Sequence, residues 1–408
     1  MLTLGVSDEG CLHLFGRLGN TSKAIYSGVL VRKNRFAIVA ISLALVVTGC
    51  SKGSNSSNPS PSASASPTKP ALPRWPLTGI ESTRASKTKP VLVIKVENDP
   101  GVRPQSGLDS ADIVFEELVE GGITRFCTMF QSKLPTEIGP VRSVRHVDAS
   151  IAAPVADYFV FSGGARPTLT YLRGNLPKGV KILTEGAPGM HRTNYHYAPH
   201  NLFLNPQTLV AQSSHTNSAT NGIFVRPTKS IWTMPTITAT PKPSESANVS
   251  ASPKPAVAIY TPASGARVVF SNGETPNWTW SPKRQEWIRF EGSTPHTSKD
   301  GRQLGFTNLV ALHVQTVDAG YRDPAGNFVP RTVFTGYGKG TVMMNGKAVS
   351  VTWSKPELAS LVQLKDLAGN VVSLNPGRTW VELVPNTGSF TVVKAKPAKP
   401  KPSSSSSK

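Results

Sequence analysis

The run Val91-Leu92-Val93-Ile94-Lys95-Val96, bounded by Pro90 and Asn98, is short and almost wholly apolar, which predicts a buried strand. Ile113 to Val119 and Ile123 to Phe130 are β-branched and aromatic stretches separated by Glu120-Gly121-Gly122. The glycine pair supplies the positive φ angles of a tight turn, so the two stretches predict a hairpin. Val144 to Val155 predicts a helix, Tyr158 to Ser162 a strand, and Gly163-Gly164 leads to a second helix start at Pro167. Strands interleaved with helices predict an α/β N-terminal domain with a mixed sheet. Further along, Asn345-Gly346 lies between Thr341–Met344 and Lys347–Trp353, and Ala368-Gly369-Asn370 lies between Leu361–Leu364 and Val371–Leu374. Both read as hairpins and predict a mostly antiparallel β C-terminal domain. Trp278, Trp280, Trp287, Trp353 and Trp380 fall in or near its strands, where filling the core is the expected role and sugar binding the alternative.

Breaks in this pattern set the boundaries. Thr236 to Pro255 is Pro, Thr, Ser, Ala and Lys without apolar periodicity. It reads as part of a linker over 234–257 between domains at 74–233 and 258–391, and the Lys/Pro/Ser stretch at 392–408 reads as a basic disordered tail. At the other end, Arg32, Lys33 and Arg35 precede an apolar run of twelve residues, Phe36 to Val47, followed by Thr48-Gly49-Cys50. Roughly twenty residues are needed to cross the hydrocarbon core, so an export signal over 31–49 is expected rather than a permanent span. Val47-Thr48-Gly49-Cys50 resembles the bacterial lipobox, which implies lipid on Cys50. Two acyl chains at about 0.8 kcal/mol per buried CH₂ anchor a protein where one chain is marginal. The Ser- and Pro-rich residues 50–73 suit a disordered tether. Residues 1–30 carry Asp8 and Glu9 ahead of the basic residues, so translation is expected to begin near Val29, Leu30 or Val31.

The net charge of +20 invites a nucleic-acid reading. The basic residues are spread along the chain, however, with no basic helix, zinc-finger spacing or aromatic RNA-binding motif, whereas counterion release needs clustered phosphate contacts. No nucleic-acid partner is expected; a basic tail beside an anionic membrane or wall polymer accounts for the charge. Of the three cysteines, Cys11, Cys50 and Cys127, a mature lipidated chain keeps only Cys127 as a thiol, expected to be a small buried hydrophobe.

The candidate chemistry lies between Glu97 and Asp148. Arg103, Arg125, Arg142 and Arg145 stand among Glu97, Asp99, Asp112 and Glu116, with His200-Asn201 further on. These groups either pair with one another or hold a ligand, since guanidinium forks suit carboxylate and phosphate. Arg142 and Arg145 would share a face if their segment were helical, and strand alternation puts Asp112 and Glu116 on one face, where they could enter one cleft. Such a carboxylate pair could also serve glycan hydrolysis. His191, His196 and His200 have a spacing a helix could turn toward a metal, but Pro199 argues against the helix. No metal site, cofactor or established catalytic motif is expected.

Glu97-Asn98-Asp99-Pro100, Arg103-Pro104-Gln105-Ser106-Gly107-Leu108, Ala111-Asp112-Ile113-Val114-Phe115-Glu116, Glu120-Gly121-Gly122-Ile123-Thr124-Arg125, Ile138-Gly139-Pro140-Val141-Arg142-Ser143-Val144-Arg145 and Ala198-Pro199-His200-Asn201-Leu202-Phe203 occur in this order behind the lipobox. In that arrangement the chain resembles the YerB-like bacterial lipoproteins, a family built on a domain of unknown function. The likeness continues through Gly338-Lys339-Gly340 and Asn375 to Pro385. It implies an α/β first domain, a distinct C-terminal domain and placement outside the cytoplasm, and brings no activity with it. The resulting expectation is a lipoprotein on the outer face of the cytoplasmic membrane, binding an anionic or polar ligand such as peptidoglycan or a wall polymer. A wall hydrolase and a scaffold for envelope proteins are the alternatives.

Overall fold

The computed structural model describes residues 72–85, 89–213 and 258–396, which fall in one compact unit. Cys50, the signal segment, most of the tether, the 234–257 linker and the end of the basic tail lie outside the described residues. Among the described residues no helix is long and apolar enough to cross a membrane.

The N-terminal segment runs β1 (Leu92–Glu97), β2 (Ile113–Leu118), β3 (Thr124–Phe130), α1 (Val147–Ala152), β4 (Tyr158–Val160), α2 (Arg166–Asn175), β5 (Lys181–Leu183), β6 (Met190–Arg192), β7 (Leu202–Leu204) and α3 (Pro206–Gln212). The C-terminal segment adds β8 (Thr261–Val269), β9 (Pro276–Ser281), β10 (Glu286–Glu291), β11 (Thr294–Pro295), β12 (Gly305–Phe306), β13 (Asn308–Arg322), β14 (Phe328–Val333), β15 (Gly336–Met344), β16 (Lys347–Lys355), β17 (Gln363–Asp366), β18 (Thr379–Pro385) and β19 (Ser389–Lys394).

The predicted hairpin forms between β2 and β3, with Leu118 opposite Thr124 and left-handed Gly121 and Gly122 in the turn. Asn345 (φ 50°) and Gly346 (φ 68°) likewise close β15 onto β16, both in the left-handed region that a two-residue turn demands. The expected helix after Val144 shrinks to α1. Upstream of it, Arg142 N donates to Lys95 O and Val144 N to Gly163 O, so Arg142 and Arg145 lie in an irregular strap rather than on a helical face.

A main sheet takes the order β5-β4-β1-β3-β2-β18-β13-β15-β16-β17. The parallel pairs β4–β5, β1–β4, β2–β18 and β13–β18 make it mixed, while the C-terminal segment is otherwise antiparallel. The β2–β18 pair joins the two segments in one ladder, from Ile113 opposite Thr379 to Glu117 opposite Leu383.

Both faces of this sheet are covered, and strand alternation decides what each receives. Val93, Phe115, Cys127, Val381 and Leu383 pack on one side with Val147 and Ile151 of α1 and Leu172 of α2. Leu92, Val114, Phe126 and Trp380 pack on the other beneath a second sheet of β8, β9, β10, β11, β12 and β19, which contributes Trp278 and Trp287. Trp278, Trp287, Trp353 and Trp380 are buried core residues, as is Cys127.

Candidate functional site

Charged residues interrupt the apolar strands at Lys95, Glu116, Glu117, Arg289 and Glu382, all fully buried or nearly so. A buried charge needs a partner, and alternation sorts these residues into one cluster on each face of the main sheet.

On the second-sheet face, Arg289 of β10 places Nη1 3.0 Å from Glu116 Oε2 and Nη2 3.0 Å from Glu116 Oε1. It also reaches Glu291 at 2.9 Å, Glu382 at 3.4 Å and His296 Nδ1 at 3.0 Å. Its guanidinium carbon lies 4.6 Å from the Trp380 ring centre, and the Trp278 indole donates to Glu382 Oε1 at 2.7 Å. Glu116 and Glu382 are register partners across β2 and β18. Burial raises both carboxyls, Glu382 well above its usual range, and each keeps one buried oxygen without a hydrogen-bond partner, so the pair favours holding a proton more than free carboxyls do. Glu274 is pushed up to about 8 by burial and by neighbouring Glu291 and Glu116, although Arg103 donates to it at 3.0 Å. Glu291, despite its burial, is held far below the usual carboxylate range by Arg289, His296 and Arg103. Burial lowers His296 to about 4. Arg289 and Arg103 thus both find their carboxylate partners inside the cluster.

The helix-side face is different. Deepest lies Lys95, ion-paired to Glu117 and, at 2.8 Å, to Asp148 of α1; burial and Asp148 push Glu117 up to about 7. Toward the ends of β1 and β4, the sheet and the 139–146 strap bring together five of the residues singled out in the sequence. Glu97, itself buried, accepts from Arg142 Nε at 2.8 Å and contacts His200 Nδ1 with both oxygens at 3.0 Å. Arg145 is gripped by Glu120 of the hairpin turn, Nε at 2.9 Å and Nη2 at 2.6 Å. Arg125, opposite Glu97 in the β1–β3 register, is only 7% exposed and has no carboxylate within ion-pair distance among the described residues. Its Nη1 donates to Ser143 O at 3.0 Å, and its Nε is buried without a partner. Burial and the adjacent Arg145 pull this guanidinium down to about 9. The terminal nitrogens of Arg142 make no hydrogen bond among the described residues, and His200 keeps Nε2 in the same state with its side chain 37% exposed.

The other candidates go elsewhere. Asp99 caps a short turn by accepting from Gly101 N at 2.8 Å. Asp112 accepts from Gln131 N at 2.6 Å and Ser132 N at 2.8 Å, a structural role at the strand edge, and burial raises it to about 6. It does not share a cleft with Glu116, whose carboxylate turns to Thr124 and Arg289. Arg103 belongs to the second-sheet cluster, and Asn201 ties Arg192 (2.7 Å) to Thr193 O (3.0 Å) beside His200. Glu120, Lys95 and Glu117 were not singled out as site residues from sequence, nor were Glu274, Arg289, Glu291 and Glu382. The available signal was a charged residue inside an apolar strand, as in Val93-Ile94-Lys95-Val96 and Trp380-Val381-Glu382-Leu383.

Two family profiles match the chain, the N-terminal domain of a "Protein of unknown function (DUF3048)" over residues 77–219 and its C-terminal domain over residues 266–381. A Bacillus subtilis protein named "Putative lipoprotein YerB" is 26% identical over 328 residues, which is 78% of this chain and 88% of that one. The crystal structure of Bacillus subtilis YerB superposes with a TM-score of 0.60 at 21% identity, covering 78% of this chain and 99% of that one, and so shares the fold. With both domains matched in order and the fold shared, the chain belongs to the YerB-like DUF3048 family.

Proposed function

We propose that this chain is an envelope lipoprotein, anchored through Cys50 at the outer face of the cytoplasmic membrane, whose helix-side site holds a phosphate or carboxylate group of a wall-related polymer. The observation that carries the ligand reading is Arg125: a nearly buried guanidinium with an unpartnered Nε, no carboxylate in ion-pair range among the described residues, and two further arginines beside it. Such an arrangement costs stability, and an anion from outside restores the missing partner. Glu97 completes the device by holding Arg142 and His200 by their near sides, which leaves the Arg142 terminal nitrogens and His200 Nε2 for a ligand. The site lies at the C-terminal ends of the parallel strands β1 and β4, the usual place for ligands on such sheets.

Support for the anchor comes from the ordered basic, apolar and Cys50 segments and from the lipoprotein name of the Bacillus relative. Glycan hydrolysis by paired carboxylates finds less support. The directly opposed pair, Glu116 and Glu382, is fully buried between Arg289, Trp278 and Trp380, where no substrate can reach it.

Retention of the purified chain on isolated cell walls, with and without inorganic phosphate as competitor, tests the ligand reading. Arg142→Met is expected to weaken retention and to abolish the competition; wall binding indifferent to phosphate and to Arg142 counts against it. For the anchor, Cys50→Ser is expected to move the protein from the membrane to the soluble fraction, and an unchanged membrane fraction refutes it.

A further inference from the structure

On the edge of the main sheet far from β1 and β4, β13 and β15 part company. They pair from Asn308 opposite Met344 to Leu312 opposite Gly340; beyond that, β13 turns to β14, starting at Gln315 opposite Val333. The fork opens a cleft of about 670 Å³, within the range of small-molecule sites. Its floor is the hydroxyl-bearing face of β15 and β16, with Thr341 opposite Ser350 and Lys339 opposite Thr352. Tyr337, 88% exposed, and Leu367, 79% exposed, stand at its sides, and Asn386 bonds Gln315 at 3.3 Å on the rim.

We propose that this cleft binds a saccharide chain. A pyranose has an apolar face of C–H groups and a rim of hydroxyls. The first stacks on an aromatic ring such as Tyr337, and the second exchanges hydrogen bonds with neutral hydroxyls and amides such as those of Ser350, Thr352 and Asn386. Among the described residues no carboxylate lines the cleft, so it does not suit a cationic ligand, and Lys339 is solvent-exposed, where water and salt screen its pull on an anionic one. A purely apolar ligand would strand the hydroxyl floor without partners.

A peptide joining as an extra strand is disfavoured, because the fork is plugged. The Trp353 indole donates to His313 O at 3.1 Å, taking the backbone acceptor that a strand would need. It lies so close to β15 that a Cβ on Gly338 would fall 2.6 Å from Trp353 Nε1 and 2.8 Å from His313 O. The cleft uses neither ionic cluster and is independent of the anion site.

The test is calorimetric titration of the full mature chain with β-1,4-linked tetramers of N-acetylglucosamine and of glucose, with intrinsic tryptophan fluorescence as a second readout. At least one tetramer is expected to bind with a change in tryptophan emission. Tyr337→Ala, a change at a side chain exposed enough to leave folding intact, is expected to weaken binding about tenfold or more. Thr352→Ala should weaken it several-fold, and Arg125→Met should leave it unchanged. The proposal is overturned if neither tetramer binds at millimolar concentration, if Tyr337→Ala binds like the wild type, or if Arg125→Met rather than Tyr337→Ala abolishes binding.

Discussion

Replacing Arg289 by Met removes the one cation within ion-pair distance of Glu116 among the described residues while keeping much of the side-chain volume against Trp380. Glu116 loses two 3.0 Å contacts with no solvent to replace them, and the mostly buried Glu291 loses one of 2.9 Å. Breaking a buried ion pair from one side typically costs about 3–5 kcal/mol. With a urea slope of about 3 kcal/mol/M, the unfolding midpoint should fall by about 1–1.7 M near pH 8. The loss should also depend on pH. Without Arg289 the folded-state pKa of Glu116, already raised by burial, rises further, and that of Glu291 is released upward from far below the usual carboxylate range, so the folded variant holds protons that the folded wild type releases between their respective pKa values. Stability relative to wild type then falls as pH rises, by up to about 1.4 kcal/mol per pH unit for each proton. The deficit against wild type should therefore shrink toward pH 5. Glu382→Gln is the control: that side of the pair already favours protonation, and the amide can keep the 2.7 Å bond from Trp278, so the cost should stay below about 1 kcal/mol. A deficit for Arg289→Met that is under about 1 kcal/mol, or the same at pH 5 and pH 8, would refute the assignment of ionised partners to this arginine.

The same linkage applies to the wild type. Glu274, raised to about 8, and Glu117, raised to about 7, contribute stability that is full below about pH 4.5 and lost as pH rises through their folded values. His296, lowered to about 4, works the other way and removes stability as pH falls from 6.5 toward 4. With more carboxyls than imidazoles shifted, thermal melts should show higher stability near pH 6 than near pH 8, and Glu274→Gln should flatten that slope; a steeper slope in the variant contradicts the assignment. Lys95→Met leaves Asp148 buried without its 2.8 Å partner and should cost about 3–5 kcal/mol in urea unfolding, a loss that Asp148→Asn in the same chain should partly relieve. A double variant no more stable than Lys95→Met alone would argue against the pair.

The strands, the two glycine-containing turns and the mixed character of the first segment were legible in the sequence because each rests on local chemistry: apolar runs, β-branching and residues that tolerate positive φ. The join between the segments was not. Pairing of β2 with β18 sets Glu116 beside Glu382, 266 positions apart in sequence, and no local pattern encodes that register. For the same reason Asp112 and Glu116, four residues apart, find separate partners: Gln131 and Ser132 hold one at the start of β2, and a strand of the second sheet brings Arg289 to the other. Arg142 and Arg145 were recognisable as candidate site residues although the irregular strap that carries them was not, since Lys95 and Gly163 hold it by its backbone. Glu97, Arg125, Arg142, Arg145 and His200 converge because β1, β3 and the strap meet at one end of the sheet, a fact of topology added to residue types the sequence already displayed.

The central claim is that Arg125 is kept for a ligand rather than for the fold. The most direct measurement is the melting temperature of the wild type and of Arg125→Met, each with and without millimolar inorganic phosphate. An unpartnered buried cation is destabilising, so without phosphate the variant should melt at or above the wild type. Phosphate should raise the wild type by the amount that binding to the folded state alone confers, about 2.7 kcal/mol at a hundred times the dissociation constant, and leave the variant unmoved. A variant that melts well below the wild type in phosphate-free buffer, or that gains as much from phosphate as the wild type does, would contradict the account.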